Sequence, residues 1–160
     1  MTNRTIPGHW EGDLLVGKRN QSAIGTLVER TTRFVLRVKL NQLTAEAVRQ
    51  AWTEVFQSIP QGLRQSLTYN QGSEMAEHKL FTKETSITVY FCHPNSPHER
   101  GTNENTNGLL RQFFPKGTNF NQVSPDQLKL AQELLNGRPR KTLSWRKPAE
   151  LFANLVALKT

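Results

Sequence analysis

The sequence has 160 residues, 36% of them hydrophobic, a length that suits one domain with a buried core. It contains no run of about 18 apolar residues and no apolar leader, so we expect a soluble, cytoplasmic protein with no membrane partner. Cys92 is the only cysteine, which excludes an internal disulfide and a cysteine-rich zinc site. The four histidines show no ligand pair at helical spacing, which argues against a zinc enzyme.

Basic residues outnumber acidic ones by 21 to 13, which gives a formal charge of +8. This excess favours a polyanionic partner such as nucleic acid, the alternative being a solvated basic face. Five basic residues fall in one window without an acid between them: Arg138, Arg140, Lys141, Arg146 and Lys147. The clustering favours DNA, and about five phosphate contacts would give log affinity a slope of about −4.5 against log salt.

The first third of the sequence predicts three consecutive strands. They are the apolar runs "WEGDLLVG", "SAIGTLVERT" and "FVLRVKL". The third has apolar residues at every second position from Phe34 to Leu40 on one face, and Arg37 and Lys39 on the other. The turns between them are short, which implies an antiparallel meander. Thr44 then predicts the start of a helix whose apolar positions recur at three and four residues, and Pro60 with Gly62 marks its end.

Strands and helices alternate in the middle of the chain, in "QSLTY", "SEMAEHKLFTKE" and "ITVYF", so these strands are predicted to be parallel. A helix follows through "ENTNGLLRQFF", and the capping box "SPDQ" opens another with Leu128, Ala131, Leu134 and Leu135 on one face. A last short helix begins near Pro148. This order predicts an α/β, ribonuclease H-like domain with a mixed five-stranded sheet flanked by helices.

Asp13 and Glu104 are candidate metal ligands. Asp13 lies inside an apolar strand, where an isolated buried carboxylate is costly and a divalent cation is a good partner; a strand-end aspartate turned to solvent is the alternative. Glu104 precedes the helix proper in a polar segment, where a salt bridge with Arg100 or Arg111 explains it almost as well as a metal. Asp126, in contrast, occupies the first turn of a helix, where a negative charge interacts favourably with the helix dipole. A structural role is therefore sufficient to explain it.

Three segments resemble the catalytic blocks of bacterial transposases of the insertion sequence thirty family: "GHWEGDLLVG", "SLTYNQGSEMAEH" and "HPNSPHERGTNENTNGLLRQFFPKGT". These transposases belong to the DDE superfamily with the retroviral integrases, and the resemblance covers about residues 7–152. It implies an integrase-type catalytic core for metal-dependent DNA cleavage and strand transfer in transposition. In this family the first acid matches Asp13, the last matches Glu104, and the middle aspartate falls on Asn70, with 33 residues between positions 70 and 104.

The resemblance implies two Mg²⁺ ions, for which Mn²⁺ can substitute, at Asp13, Asn70 and Glu104. Two divalent ions about 3.5–4 Å apart assist the in-line displacements of phosphodiester cleavage and joining. Asn70 departs from the family pattern, because an amide oxygen brings no charge and its NH₂ group points a donor at the cation. We expect weak metal binding and little or no activity, since losing about 4 kcal/mol of transition-state stabilisation slows a reaction about a thousandfold.

The implied partner is double-stranded DNA, both transposon ends and target, bound in the nucleoid by a homodimer or larger assembly. Arg100, Arg111 and Lys116 join the C-terminal basic cluster as expected DNA contacts. Residues 1–160 are expected to form a single integrase-type catalytic domain without the family's N-terminal helix-turn-helix regions, which leaves mainly backbone-driven DNA binding. Two alternatives stay open: a non-catalytic DNA-binding or regulatory remnant of a transposase, and a ribonuclease H-like nuclease acting on RNA–DNA hybrids.

Overall fold

A mixed β-sheet with helices on both faces forms the molecule. The structure, a computed structural model, describes residues 6–69, 75–92 and 101–159, and for residues 101–104 and 159 it describes the backbone alone. The strands are β1 (His9–Val16), β2 (Ala23–Glu29), β3 (Val35–Leu40), β4 (Ser66–Tyr69) and β5 (Thr88–Phe91). The helices are α1 (Ala45–Gln57), α2 (His78–Thr85), α3 (Gly101–Phe113), α4 (Pro125–Asn136) and α5 (Pro148–Lys159).

The strand order is β3-β2-β1-β4-β5, which places β1 at the centre of the sheet. The first three strands form an antiparallel meander, in which Asp13 lies opposite Thr26 and Thr26 opposite Arg37. β4 runs parallel to β1, with Thr68 opposite Glu11, and β5 runs parallel to β4. The meander and the parallel additions confirm the predicted ribonuclease H-like architecture.

Two hydrophobic clusters cover the two faces of the sheet. Trp10 and Leu14 of β1 pack in the cluster that includes residues of α1, α2 and α5, whereas Leu15 packs in the cluster formed with α3 and α4. Successive side chains of a strand point to opposite faces. Asp13 is in phase with Leu15, and it therefore lies on the face that α3 covers.

α1 begins where the sequence predicts. The Thr44 hydroxyl accepts a hydrogen bond from the Ala47 N–H at 3.1 Å, which satisfies one of the free N–H groups at the helix start. Trp52 and Phe56 of this helix are fully buried against the sheet. Gly25 on β2 makes room for Trp52, because a Cβ atom at that position would overlap the indole ring.

The Ser124 capping box and the end of α4 at Gly137 are also as predicted. The predicted apolar face of this helix is wrong at one residue, because Leu128 and Leu135 are buried whereas Leu134 is 46% exposed. A helix turns about 100° per residue, so Leu134 lies well away from the line through Leu128 and Leu135.

α4 also covers the outer edge of the sheet. The Asn136 side chain accepts a hydrogen bond from the Val35 N–H at 2.8 Å and donates one to the Val35 carbonyl at 2.9 Å. Gln132 accepts another from the Arg37 N–H at 3.2 Å. These amides occupy backbone groups of β3 that would otherwise form an open strand edge, a common route to aggregation.

Two helix starts differ from the sequence prediction. α2 begins at His78, later than expected from "SEMAEHKLFTKE", part of which lies outside the described residues. α3 begins at Gly101, so Glu104 lies within the helix and not before it. The residues Gly, Thr and Asn at the start of α3 have low helix propensity, which is why the sequence predicts a later start. Propensity is a weak effect, and the packing of the later turns of α3 outweighs it. In the described part of the chain, no helix has the length and apolar character to cross a membrane.

Candidate active site on the central strand

Asp13 lies in the middle of the central strand and is half-buried. Its Oδ1 accepts a hydrogen bond from the Leu14 N–H at 2.8 Å, and its Oδ2 accepts one from Asn107 Nδ2 at 3.0 Å. Each carboxylate oxygen has two lone pairs, so an oxygen that accepts one of these bonds can still coordinate a cation. The side chain is therefore oriented by the protein and keeps the donor chemistry of a metal ligand.

Asn107 connects α3 to the central strand β1 and to its antiparallel neighbour β2. Besides donating to Asp13 on β1, its amide accepts a hydrogen bond from Thr26 Oγ1 on β2 at 3.0 Å, and Thr26 is fully buried. The sequence analysis did not single out this asparagine. The available signal was its spacing, because residues three apart lie on the same side of a helix, and Asn107 follows Glu104 by three.

Of the other two predicted ligands, the structure describes the backbone of Glu104 and nothing of Asn70. The backbone of Glu104 lies in the first turn of α3, and its side chain is outside the described residues. Asn70 is outside the described residues as well, directly after Tyr69 at the end of β4, the parallel neighbour of β1. Among the side chains that the structure describes, no three His, Cys, Asp or Glu residues form a metal site. Of the three predicted ligands, only Asp13 has a side chain that the structure describes.

A buried ion pair lies beside Asp13 on the same sheet face. Glu11, two residues before Asp13, is 1% exposed, and it accepts a hydrogen bond from Arg30 Nε at 2.9 Å. Arg30 also donates from Nη2 to Thr68 Oγ1 at 3.3 Å. The arginine thus connects β1 to β4 close to the strand end that precedes position 70. The sequence analysis missed this pair, whose members are 19 residues apart.

His9 continues the same row of side chains. Its Nδ1 lies 2.6 Å from Ser66 Oγ on β4. Burial lowers the pKa of His9, the charge of Arg30 lowers it further, and the charge of Glu29 opposes both. The neutral imidazole is therefore favoured in the folded protein, as its position beside a cationic guanidinium requires.

Two of the predicted DNA contacts near α3 have different surroundings. Arg111 donates from Nη2 to the Val16 carbonyl at 3.0 Å and from Nη1 to the Phe114 carbonyl at 3.4 Å, and burial lowers its pKa. These bonds join the end of β1 to the end of α3. Lys116 is exposed, and Arg100 lies outside the described residues.

The five remaining predicted DNA contacts lie in one structural unit, residues 138–147, which we call the basic hairpin. Arg140 and Arg146 form an antiparallel bridge, with the Arg140 N–H donating to the Arg146 carbonyl at 3.0 Å. Arg140 is half-buried, and its pKa is lowered by burial and by the charge of Arg138. The other four are exposed: Arg138, Lys141, Arg146 and Lys147.

The chain matches known proteins over its whole length. The integrase core domain family matches residues 4–97. The transposase for insertion sequence element IS1086 of Cupriavidus metallidurans is 51% identical over 160 residues, which are 100% of this chain and 47% of that protein. The transposase InsI of Escherichia coli is 50% identical over 156 residues, 98% of this chain and 40% of that protein. The chain thus spans less than half the length of these curated relatives.

Solved structures share the fold. The catalytic core domain of BIV integrase superposes with a TM-score of 0.72 over 95% of this chain and 97% of its own, at 20% identity. A chain of the simian T-cell lymphotropic virus intasome has a TM-score of 0.74 over 91% of this chain and 54% of its own, at 19% identity. At these identities the likeness establishes the fold alone, and it confirms the predicted integrase-core architecture. Fold and sequence together show that the chain belongs to the integrase core domain family, in the branch of the insertion sequence thirty transposases.

Proposed function

We propose that the chain is the catalytic domain of a transposase, suited to divalent-metal-dependent DNA cleavage and strand transfer and impaired by Asn70. The observation that carries the proposal is the Asp13 carboxylate on the central strand, held by Asn107 from the helix that carries Glu104. The similar proteins named as transposases of insertion sequences support the reaction class.

The donor set fits a hard divalent cation. Asp13 and Glu104 would supply carboxylate oxygens and Asn70 an amide oxygen, and Mg²⁺ and Mn²⁺ prefer such oxygen ligands. When bound, the cations would stabilise charge on the attacking and leaving oxygens of the phosphodiester. The amide at position 70 contributes no negative charge toward them, so the affinity for the cations is lower than that of a three-carboxylate set.

The protein's own side chains orient the reacting groups. Asn107 restricts the rotation of the Asp13 carboxylate, and the Glu11–Arg30 pair with Thr68 fixes β4 against β1 near position 70. The exposed cations of the basic hairpin supply binding energy for the phosphate backbone of double-stranded DNA. A homodimer or larger assembly would bring two transposon ends together with the target.

Restoring the missing charge with Asn70→Asp tests the proposal. We expect calorimetric titration to show that Asn70→Asp binds Mg²⁺ and Mn²⁺ about tenfold or more tightly than the parent chain. Loss of a residue that only orients a metal ligand typically weakens metal affinity about 10–100-fold, and the charge of a direct ligand should matter at least as much. Strand transfer of an oligonucleotide carrying a transposon-end sequence into plasmid DNA should appear together with the tighter binding. Asn121→Asp adds the same charge at an exposed position and is the matched control.

Equal metal affinity of the parent chain and Asn70→Asp would show that position 70 is not a ligand. Tighter metal binding without cleavage or strand transfer would favour the second candidate, a non-catalytic DNA-binding or regulatory remnant. The observation behind that candidate is the neutral residue at position 70 itself. Cleavage of an RNA–DNA hybrid in preference to duplex DNA by the restored chain would instead indicate a ribonuclease H-like nuclease.

A further inference from the structure

The basic hairpin presents a tryptophan to solvent. The chain has three tryptophans, of which Trp10 and Trp52 are fully buried and Trp145 is 67% exposed. Tryptophan combines a large apolar ring with an N–H donor, and it is enriched at binding interfaces for that reason. Trp145 therefore needs an explanation outside the hydrophobic core.

The backbone that presents this tryptophan is strained. Ser144 and Trp145 have φ angles of 54° and 64°, in the left-handed region that residues with a Cβ atom rarely adopt. Hydrogen bonds hold the turn, from the Trp145 N–H to the Arg140 carbonyl at 2.8 Å and from the Ser144 N–H to the Lys141 carbonyl at 3.1 Å. Strained turns that a surrounding structure maintains are concentrated at binding sites.

The surroundings of Trp145 are positively charged. The segment 138–147 has five basic residues and no acidic one, and four of the five are exposed. A protein partner would have to offer a dense acidic surface with a pocket for an indole. A nucleic acid offers both phosphates and aromatic faces along one strand, and stacking on aromatic side chains within a basic groove is how single strands are bound.

A cavity of about 300 Å³ adjoins the hairpin. Thr142, Ser144 and Arg146 line it from the hairpin, and Asn154 lines it from α5. Leu143 and Leu151 contribute apolar wall. Apolar walls with hydroxyl, amide and guanidinium groups suit the flat ring and polar edge of a nucleobase.

We propose that the basic hairpin binds unpaired DNA, with Trp145 stacking on a nucleobase while exposed cations such as Lys141 and Lys147 contact the flanking phosphates. Neighbouring base pairs cover the base faces inside a duplex, so an indole reaches them only at ends, flaps or melted segments. The choice of DNA as the polymer rests on the proposed function. The hairpin thus distinguishes a DNA end with unpaired bases from the duplex beside it.

Tryptophan fluorescence tests this directly, because Trp145 is the exposed one of the three indoles. We expect a twenty-four-nucleotide oligothymidylate to quench the emission of the full chain. A blunt-ended, GC-rich duplex of twelve base pairs has about the same number of phosphates but only two exposed base-pair faces, and it should quench the emission much less. Both titrations are done in EDTA, so they do not depend on metal binding or chemistry. The two proposals can therefore fail separately. Quenching can be measured even if Asn70→Asp restores no activity, and an absence of quenching would not contradict the proposed DNA cleavage and strand transfer.

Three variants separate stacking from charge and from folding. Trp145→Gly removes the ring but tolerates the left-handed turn, and we expect about tenfold weaker oligothymidylate binding by fluorescence anisotropy, with duplex binding changed less than about twofold. Trp145→Phe keeps an aromatic face and should retain most of the affinity. Lys147→Ala is the matched control, and it should weaken both DNAs alike and reduce the magnitude of the duplex salt slope by about 0.9.

Circular dichroism and thermal unfolding establish that each variant is folded. Equal losses for single-stranded and duplex DNA in Trp145→Gly would overturn the stacking proposal, as would unchanged binding of both. A change in oligomeric state of Trp145→Gly in sedimentation, with oligothymidylate binding intact, would overturn it in favour of a protein interface.

Discussion

Asn107 on α3 donates a hydrogen bond to Asp13 on β1 at 3.0 Å, and the same amide accepts one from Thr26 on β2 at 3.0 Å. One side chain thereby fixes the helix that carries Glu104 to the central strand and to its antiparallel neighbour. Because a hydrogen bond to a charged group typically contributes about 1.5–3 kcal/mol, the contact is strong enough to hold the Asp13 carboxylate in one orientation.

Asn107→Ala should therefore affect both stability and activity. We expect the free energy of unfolding in urea to fall by about 1–3 kcal/mol, since the buried Thr26 hydroxyl and the Asp13 carboxylate lose a partner. In the Asn70→Asp background, the single-turnover strand-transfer rate should fall about 10–100-fold, the usual effect of removing a group that orients a ligand.

Asn105→Ala is the control for that experiment. Asn105 lies on the same helix, two residues away, and is exposed. It should leave the rate unchanged and alter stability by no more than about 0.5 kcal/mol. If Asn105→Ala and Asn107→Ala had equal rates, Asn107 would not orient Asp13.

The contrast between predicted and missed residues follows the range of the interactions. The caps at Thr44 and Ser124 were predicted, because each involves a partner three residues away in the sequence. The Asn107–Asp13 bond joins residues 94 positions apart, and no local pattern reports it. Trp145 was missed for a different reason, since a left-handed turn is signalled in sequences by Gly or Asn, and this turn has Ser and Trp.

The strand directions, in contrast, were predictable from short-range information. Short turns permit only antiparallel neighbours for β1, β2 and β3, and helical crossovers make parallel pairing the rule for β4 and β5. The protection of the β3 edge was not predictable, because Asn136 is 101 residues from Val35.

Gly25→Ala should destabilise the protein by overpacking. A methyl group on β2 would overlap Trp52, which is fully buried and part of the main core, so the indole or the strand must shift. Such changes typically cost about 1–3 kcal/mol, which should appear as a lower midpoint in urea unfolding monitored by circular dichroism.

Gly108→Ala is the opposite case. Gly108 lies in α3, and a Cβ atom there would meet nothing within 4 Å. Alanine reduces the freedom of the unfolded chain and favours the helix, so we expect stabilisation by about 0.4–1 kcal/mol. Destabilisation by Gly108→Ala would contradict the open space beside that residue, and an unchanged midpoint for Gly25→Ala would contradict the packing against Trp52.

His9 should make stability depend on pH. Its pKa in the folded protein is below the ordinary value of 6.5, so the unfolded chain binds the proton more readily. The stability that the neutral ring contributes is complete above pH 6.5 and is lost as the pH falls toward the folded-state pKa. Unfolding free energies measured in urea between pH 7.5 and about pH 5.5 should therefore decrease, and His9→Gln should flatten part of that decrease.

Ser66→Ala provides the control for His9. The lowered pKa of His9 arises from burial and from the charge of Arg30, and the Ser66 hydroxyl is not among its causes. Removing the hydroxyl should lower stability by about 1 kcal/mol at every pH, because the hydrogen bond is lost while the titration stays. Parallel pH profiles for the parent chain and His9→Gln would show that another group titrates in this range.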